Sequence, residues 1–183
     1  MEVTRESLRV TTTILGILVL VSYYYGVSRA DEPAKLWGGV PVSWQTYIVP
    51  FMFIAAIGYL AYWWVTLFQM DTSTIESLNW PWADSDGKGL ERLAIAYGFV
   101  LIPSALWLES TLFHMSNDYT WTPIVVVGIL SLVSLGNVMF GLLAYDAHLS
   151  GVENSWILIA GSLMLAFQVI VNDLIVWSIK FPW

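Results

Sequence analysis

Seven side chains in this sequence place polar chemistry inside or at the edge of apolar runs: Tyr24, Trp107, Glu109, Asn137, Gln168, Asn172 and Asp173. A charged side chain at the centre of a hydrocarbon span costs about 2.5 to 3.5 kcal/mol on insertion scales, so Glu109 and Asp173 need compensation. A bound cation, a shared proton or a hydrogen-bonding partner could each supply it. The amides of Asn137, Gln168 and Asn172 offer donors and acceptors together, while Trp107 and Tyr24 each carry a polar tip on an aromatic body. As one constellation these groups could attract a cation, relay a proton or bind a small solute. The competing use is structural. Asn137 reads first as interhelical glue, and Asp173, close to a span's end, as the partner of Lys180 or Arg29.

Other chemistries are excluded by composition. The chain has 183 residues, no cysteine and two histidines, so a thiolate metal site, a cysteine nucleophile and a multi-histidine centre are all absent. Lys180 lies too near the chain's end to hold a Schiff-base cofactor in mid-span, and neither a phosphate-cradling glycine loop nor a Ser–His–Asp set is present. A self-contained enzyme is not expected, and no cofactor is assigned. The net charge of −7, with few Lys and Arg, argues against nucleic acid as a partner.

The elements that must position these residues are transmembrane helices. Hydrophobic residues make up 57% and charged residues 11% of the chain, well under the ~25% charged residues of soluble domains. The expectation is an all-α integral membrane protein: one transmembrane domain over residues 1–183, with spans at about 10–27, 46–70, 90–115, 122–145 and 155–177. Arg5, Arg9, the apolar run and Ser28-Arg29-Ala30 also resemble a signal peptide. The run's length and the interfacial tyrosines Tyr23 to Tyr25 favour a retained first span. Pro50 falls in the first turns of the second span, where a missing N–H matters least. Between the second and third spans, Ser73 to Glu76 fits a capping box. It predicts a short helix lying on the membrane surface, with Leu78, Trp80 and Trp82 towards lipid. Asp84-Ser85-Asp86-Gly87 starts like a calcium loop, but Lys88 and Ile95 stand where later ligands belong, so a turn capping the third helix is expected.

Alternating topology and a rise of 1.5 Å per residue set the depths. Glu109 lies about 9 Å, and Asp173 about 6 Å, inside the same side of the membrane. The Tyr23–Tyr25 run, Gln168 and Asn172 fall in that half, and Asn137 near mid-depth. Helical spacing puts Gln168 and Asn172 on one face of the fifth span, with Asp173 turned away beside Ser162 and Ala166. Ser134, Asn137 and Gly141 form one small, polar stripe on the fourth. Glu109 and His114 are too far apart around their helix to pair, so partners for Glu109 are expected among Asn172, Asp173 and the Tyr23–Tyr25 run. Both histidines read as surface residues.

Two functions follow from this constellation. One is a small channel, transporter or binding protein for a cation, proton or solute, acting as a homo-oligomer in the lipid bilayer. The other is an accessory subunit of a larger membrane complex, with the same groups as glue. Basic residues flanking the spans lean slightly towards a cytoplasmic N-terminus.

Overall fold

The computed structural model describes residues 3–117 and 119–183. Among them, five helices are long and apolar enough to cross a membrane: α1 (Arg5–Arg29), α2 (Val42–Gln69), α4 (Gly89–Asn117), α5 (Thr122–Leu149) and α6 (Ser155–Lys180). A sixth, α3 (Thr72–Ser77), is the short helix between α2 and α4. The five-helix count and order therefore match the sequence pattern, and several boundaries differ for identifiable reasons.

Helix α1 starts at Arg5 rather than Val10 because Thr4 and Ser7 form a capping box. The Ser7 N–H donates to Thr4 Oγ1 at 3.1 Å and the Thr4 N–H to Ser7 Oγ at 3.0 Å, satisfying two donors at the helix start. The helix also runs on through Arg29, a residue expected in the loop. Helix α2 begins at Val42, directly after Pro41, so Pro50 lies inside the helix rather than in its first turns. A capping box at Ser73 does not form. The cap of α3 is Asp71, with no side-chain hydrogen bond. Leu78 turns into the core instead of towards lipid, while Trp82 points outward. Two polar contacts fasten this segment across the end of the bundle: the Asn79 N–H donates to Asp146 Oδ2 at 2.8 Å, and Arg92 Nη1 to the Leu78 carbonyl at 3.3 Å. The Asp86 turn stands just before α4, its Oδ1 accepting from the Lys88 N–H at 3.0 Å and from the Arg92 side chain (Nη1) at 2.7 Å, without bonding a backbone N–H of the helix's first turn.

The helices pack in the order α1, α4, α5, α6, α2. The end of α2 returns to α1, where Arg5 and Arg9 both donate to the Leu67 carbonyl (2.8 and 2.6 Å) and Trp63 Nε1 donates to Thr12 (2.8 Å). Glycines allow the close approaches. A methyl group at Gly58 would lie 2.7 Å from the Gly161 carbonyl oxygen, and one at Gly161 would lie 2.6 Å from that of Gly58, so α2 and α6 meet backbone to backbone. The main core joins Tyr62, Leu67, Leu93, Tyr97 and Phe140 at the α3 end. A smaller core of Val40, Ile48, Val126, Leu130, Trp177 and Phe181 closes the opposite end.

Candidate functional site

Helix α6 changes pitch along its length, and that change arranges much of the predicted constellation. It is α-helical from Ser155 to Ala166 and π-helical from Phe167 to Trp177. Asn137 sits at the junction. With its amide oriented to satisfy both ends, it donates to the Ser162 carbonyl and accepts from the Ala166 N–H, each at 3.2 Å. Those two backbone groups are the ones an uninterrupted α-helix would pair with each other. Ser134 Oγ donates to the Val169 carbonyl at 3.2 Å, one turn further on. The stripe of Ser134, Asn137 and Gly141 thus packs on α6 and meets its backbone at the change of pitch.

Within the π segment, i→i+5 pairing brings residues five apart onto one side. Gln168 Nε2 donates to Asp173 Oδ1 at 2.7 Å, and Asn172 Nδ2 donates to Gln168 Oε1 at 3.0 Å. Asp173 is therefore not turned away from Gln168, as α-helical spacing implied; the three residues form one chain of hydrogen bonds. Nor does Asp173 pair with Lys180, whose ammonium lies 5.4 Å from the centroid of Trp44. Trp107 of α4 stands between α1 and α6, edge-on to Tyr23 (5.9 Å between ring centroids) and to Trp177 (5.4 Å). Its Nε1 is buried and without a hydrogen-bond partner among the described residues. Tyr24 is separated from the set: it is 79% exposed on the outer face of α1.

Glu109 has a partner the sequence reading did not give it. Its Oε2 is ion-paired with Arg29 at the end of α1, and neither Asn172 nor Asp173 reaches it. The pair forms because α1 and α4 converge there: Gly26 is so close to α4 that a methyl group on it would lie 2.6 Å from a Leu108 methyl carbon. Glu109 Oε1 is buried without a hydrogen-bond partner among the described residues and faces Gly26 across the same contact. His114, expected at the surface, is buried and hydrogen-bonded to Thr122 Oγ1 at 2.6 Å. The Thr122 hydroxyl hydrogen is spent on the Tyr119 carbonyl (2.6 Å), so the imidazole Nδ1–H is the donor to it.

The Arg29–Glu109 pair lies on an open cleft of about 890 Å3 between the end of α1, the following loop, α4 and the start of α5. Its charged lining residues are Arg29, Asp31, Glu32, Lys35 and Glu109, and Lys35 pairs with Glu32 at 2.8 Å. Leu106, Phe113, Val125 and Ile129, with Trp121, are among its apolar lining residues. Of the seven predicted residues, Glu109 alone lines this cleft. Asn172 lines a smaller groove of about 190 Å3 against Trp44, Tyr47 and Phe167. Arg29, Asp31, Lys35 and Trp121 were not singled out for a site. The signal for Arg29 is its place just beyond the first apolar run, on the same side of the membrane as Glu109. No protein-family model, curated protein or solved structure matches the chain.

Proposed function

We propose that this chain is a multi-pass membrane protein that binds a small amphiphile, admitted sideways from the bilayer into the cleft between α1, α4 and α5. The observation that carries the reading is the cleft's mixed lining: five charged side chains together with apolar ones such as Leu106, Phe113, Val125 and Ile129. Ligand sites are concave and mostly apolar, with a few polar groups that fix orientation. Binding is favoured over passage of a cation because Glu109 already holds Arg29 as its counter-ion. The test is native mass spectrometry of the gently solubilised chain. An amphiphile should accompany the parent protein and Leu132→Trp, which alters the outer face of α5, and be lost from Leu106→Trp, which fills the cleft. A parent protein without a bound amphiphile, or equal retention in both variants, overturns the reading.

A second reading, an accessory subunit of a larger membrane assembly or homo-oligomer, draws support from the spent polar groups. Asn137, Gln168, Asn172 and Asp173 are hydrogen-bonded within the chain, as structural glue would be. The mass of the solubilised particle tests it: a monomer would sink the subunit reading. In either case we propose a cytoplasmic N-terminus, a slight lean supported by Arg5, Arg9, Lys88 and Arg92 on one side against Arg29, Lys35 and Lys180 on the other. The chain lacks cysteine, so single cysteines introduced near Ser85 and Ala34 can be probed with an impermeant thiol reagent in sealed vesicles.

A further inference from the structure

We propose that the amphiphile taken by the cleft carries a cationic head group, a protonated or quaternary amine. The inference rests on the amphiphile reading above and names the charge at the polar end of its ligand. The cleft's charged lining, Arg29 and Lys35 against Asp31, Glu32 and Glu109, sums to −1. Arg29 is paired with Glu109 and Lys35 with Glu32, which leaves the charge of Asp31 uncompensated among the described residues. The helix ends add to the same sign. Helices α1 and α4 finish at the cleft, with Arg29 and Asn117 in its lining, and α5 starts there at Thr122. Two partly negative C-termini thus face one partly positive N-terminus, each equivalent to about half a charge.

The cleft also presents aromatic rings with no cation on them. Trp121 and Phe113 both line it, each about half exposed, with ring centroids 6.0 Å apart, and Tyr119 stacks on Trp121 at 6.1 Å. Elsewhere on the bundle the protein's own cations lie over such rings: Arg29 is 4.7 Å from the centroid of Tyr25, and Lys180 5.4 Å from that of Trp44. Among the described residues none lies over Trp121 or Phe113. An ammonium is attracted to a ring face within about 6 Å of its centroid, most strongly by Trp. An anionic head would add its charge to a lining already negative, and a zwitterion would bring an anion for which both cations are already paired. A monocation brings the lining to neutrality. A free inorganic cation would be held by charge alone; Leu106, Val125 and Ile129 gain only when a hydrocarbon tail comes with the head.

The experiment uses the full chain in a non-ionic detergent with four photoactivatable probes that share one diazirine tail and carry trimethylammonium, hydroxyl, sulfate or phosphocholine heads. Labelling of the cleft segment 106–125 is read against the outer face of α2 around Phe53 and Leu60. Trimethylammonium should label the cleft about 3- to 30-fold above hydroxyl, the combined range of one exposed ion pair and one exposed cation–π contact, and above sulfate and phosphocholine. Asp31→Asn should lower the trimethylammonium signal by about 1.5- to 5-fold and leave the hydroxyl signal unchanged. Trp121→Leu should lower it by about 2- to 5-fold. Any other head that labels the cleft as strongly as trimethylammonium overturns the head-group inference, as does a trimethylammonium signal unchanged in both variants. The amphiphile reading then stands so long as the cleft is labelled above α2. Labelling of the cleft no higher than that of α2 by any probe overturns both. The probe comparison is made on the unaltered chain, so it decides without relying on a variant that folds.

Discussion

Asn137 accepts the amide hydrogen of Ala166 at 3.2 Å, at the last residue before α6 changes from α to π pitch. The same side chain donates to the Ser162 carbonyl, so one amide on α5 engages both backbone groups of an α-helical hydrogen bond in α6. An inserted side chain is one of the recognised ways in which i→i+4 pairing is interrupted. In the π segment that follows, Gln168 bonds Asp173 and Trp177 lies edge-on to Trp107.

Asn137→Ala should destabilise the protein by about 1 to 2 kcal/mol, the upper range for hydrogen bonds between membrane helices, because two backbone groups lose their partner. Thermal unfolding in detergent measures it. Asn137→Asp, which keeps an acceptor for Ala166 but loses the donor to Ser162, should be no better. A Tm equal to the parent's for both variants would show that the junction is held by something else.

Gly58→Val and Gly161→Val should each be damaging, by about 1 to 3 kcal/mol or more as for overpacking, since either side chain meets the other helix's carbonyl oxygen. Gly128→Ala is the control. A methyl group there has open space around it, and the change removes glycine's helix penalty of roughly 0.5 to 1 kcal/mol. Comparable losses at all three positions would contradict the backbone contact between α2 and α6.

Arg29→Gln and Glu109→Gln, with their double variant, form a thermodynamic cycle. Both side chains are partly exposed, 46% and 34%, so solvent screens the pair and the coupling should be about 0.2 to 1 kcal/mol. It should shrink as salt rises. A coupling of zero at low ionic strength would mean that α1 and α4 are held together by the Gly26–Leu108 contact alone.

The loop before α4 should respond to acid through Asp86. Hydrogen bonds from the Arg92 guanidinium, and then from the Lys88 N–H, hold its carboxyl below the usual carboxylate range. The folded value is thus depressed relative to the unfolded one. Its stabilising contribution is fully present above the ordinary carboxylate range and fades as pH falls through the folded value. Carboxyl-resolved NMR titration should find Asp86 low in the parent and restored towards its ordinary value in Arg92→Gln. Proteolysis within 78–89 should accelerate at low pH in the parent, and already at neutral pH in the variant.

Much of the fold was legible because each helical run is near the length a bilayer demands and polar breaks separate the runs. The ends were less legible. The Thr4–Ser7 capping box lies upstream of the apolar signal, and Leu78 turns inward only because Asp146 and Arg92, distant in sequence, hold the neighbouring backbone. His114 shows the same limit. It stands near the end of α4, where solvent was the natural expectation, yet Thr122 at the start of α5 buries and bonds it.

The polar residues divide along similar lines. That Glu109 needed compensation was a matter of chemistry, readable from its setting. That Arg29 supplies it depended on α1 packing against α4 rather than α6 doing so. Apolar spacing carries no mark of a π segment, so the α-helical period separates Gln168 from Asp173 where the structure puts them on one side.

The sequence by itself determined the five long apolar helices found among the described residues, their order, and where the polar groups stand along them. Backbone groups in hydrocarbon have no water to bond, which leaves a helix as the solution for each apolar run. Only the tertiary structure decided which of those groups meet. Helix pitch and packing order rotate and translate side chains by several ångströms without altering a single apolar period. Through them Asn137 reaches the backbone of α6 and Arg29 reaches Glu109.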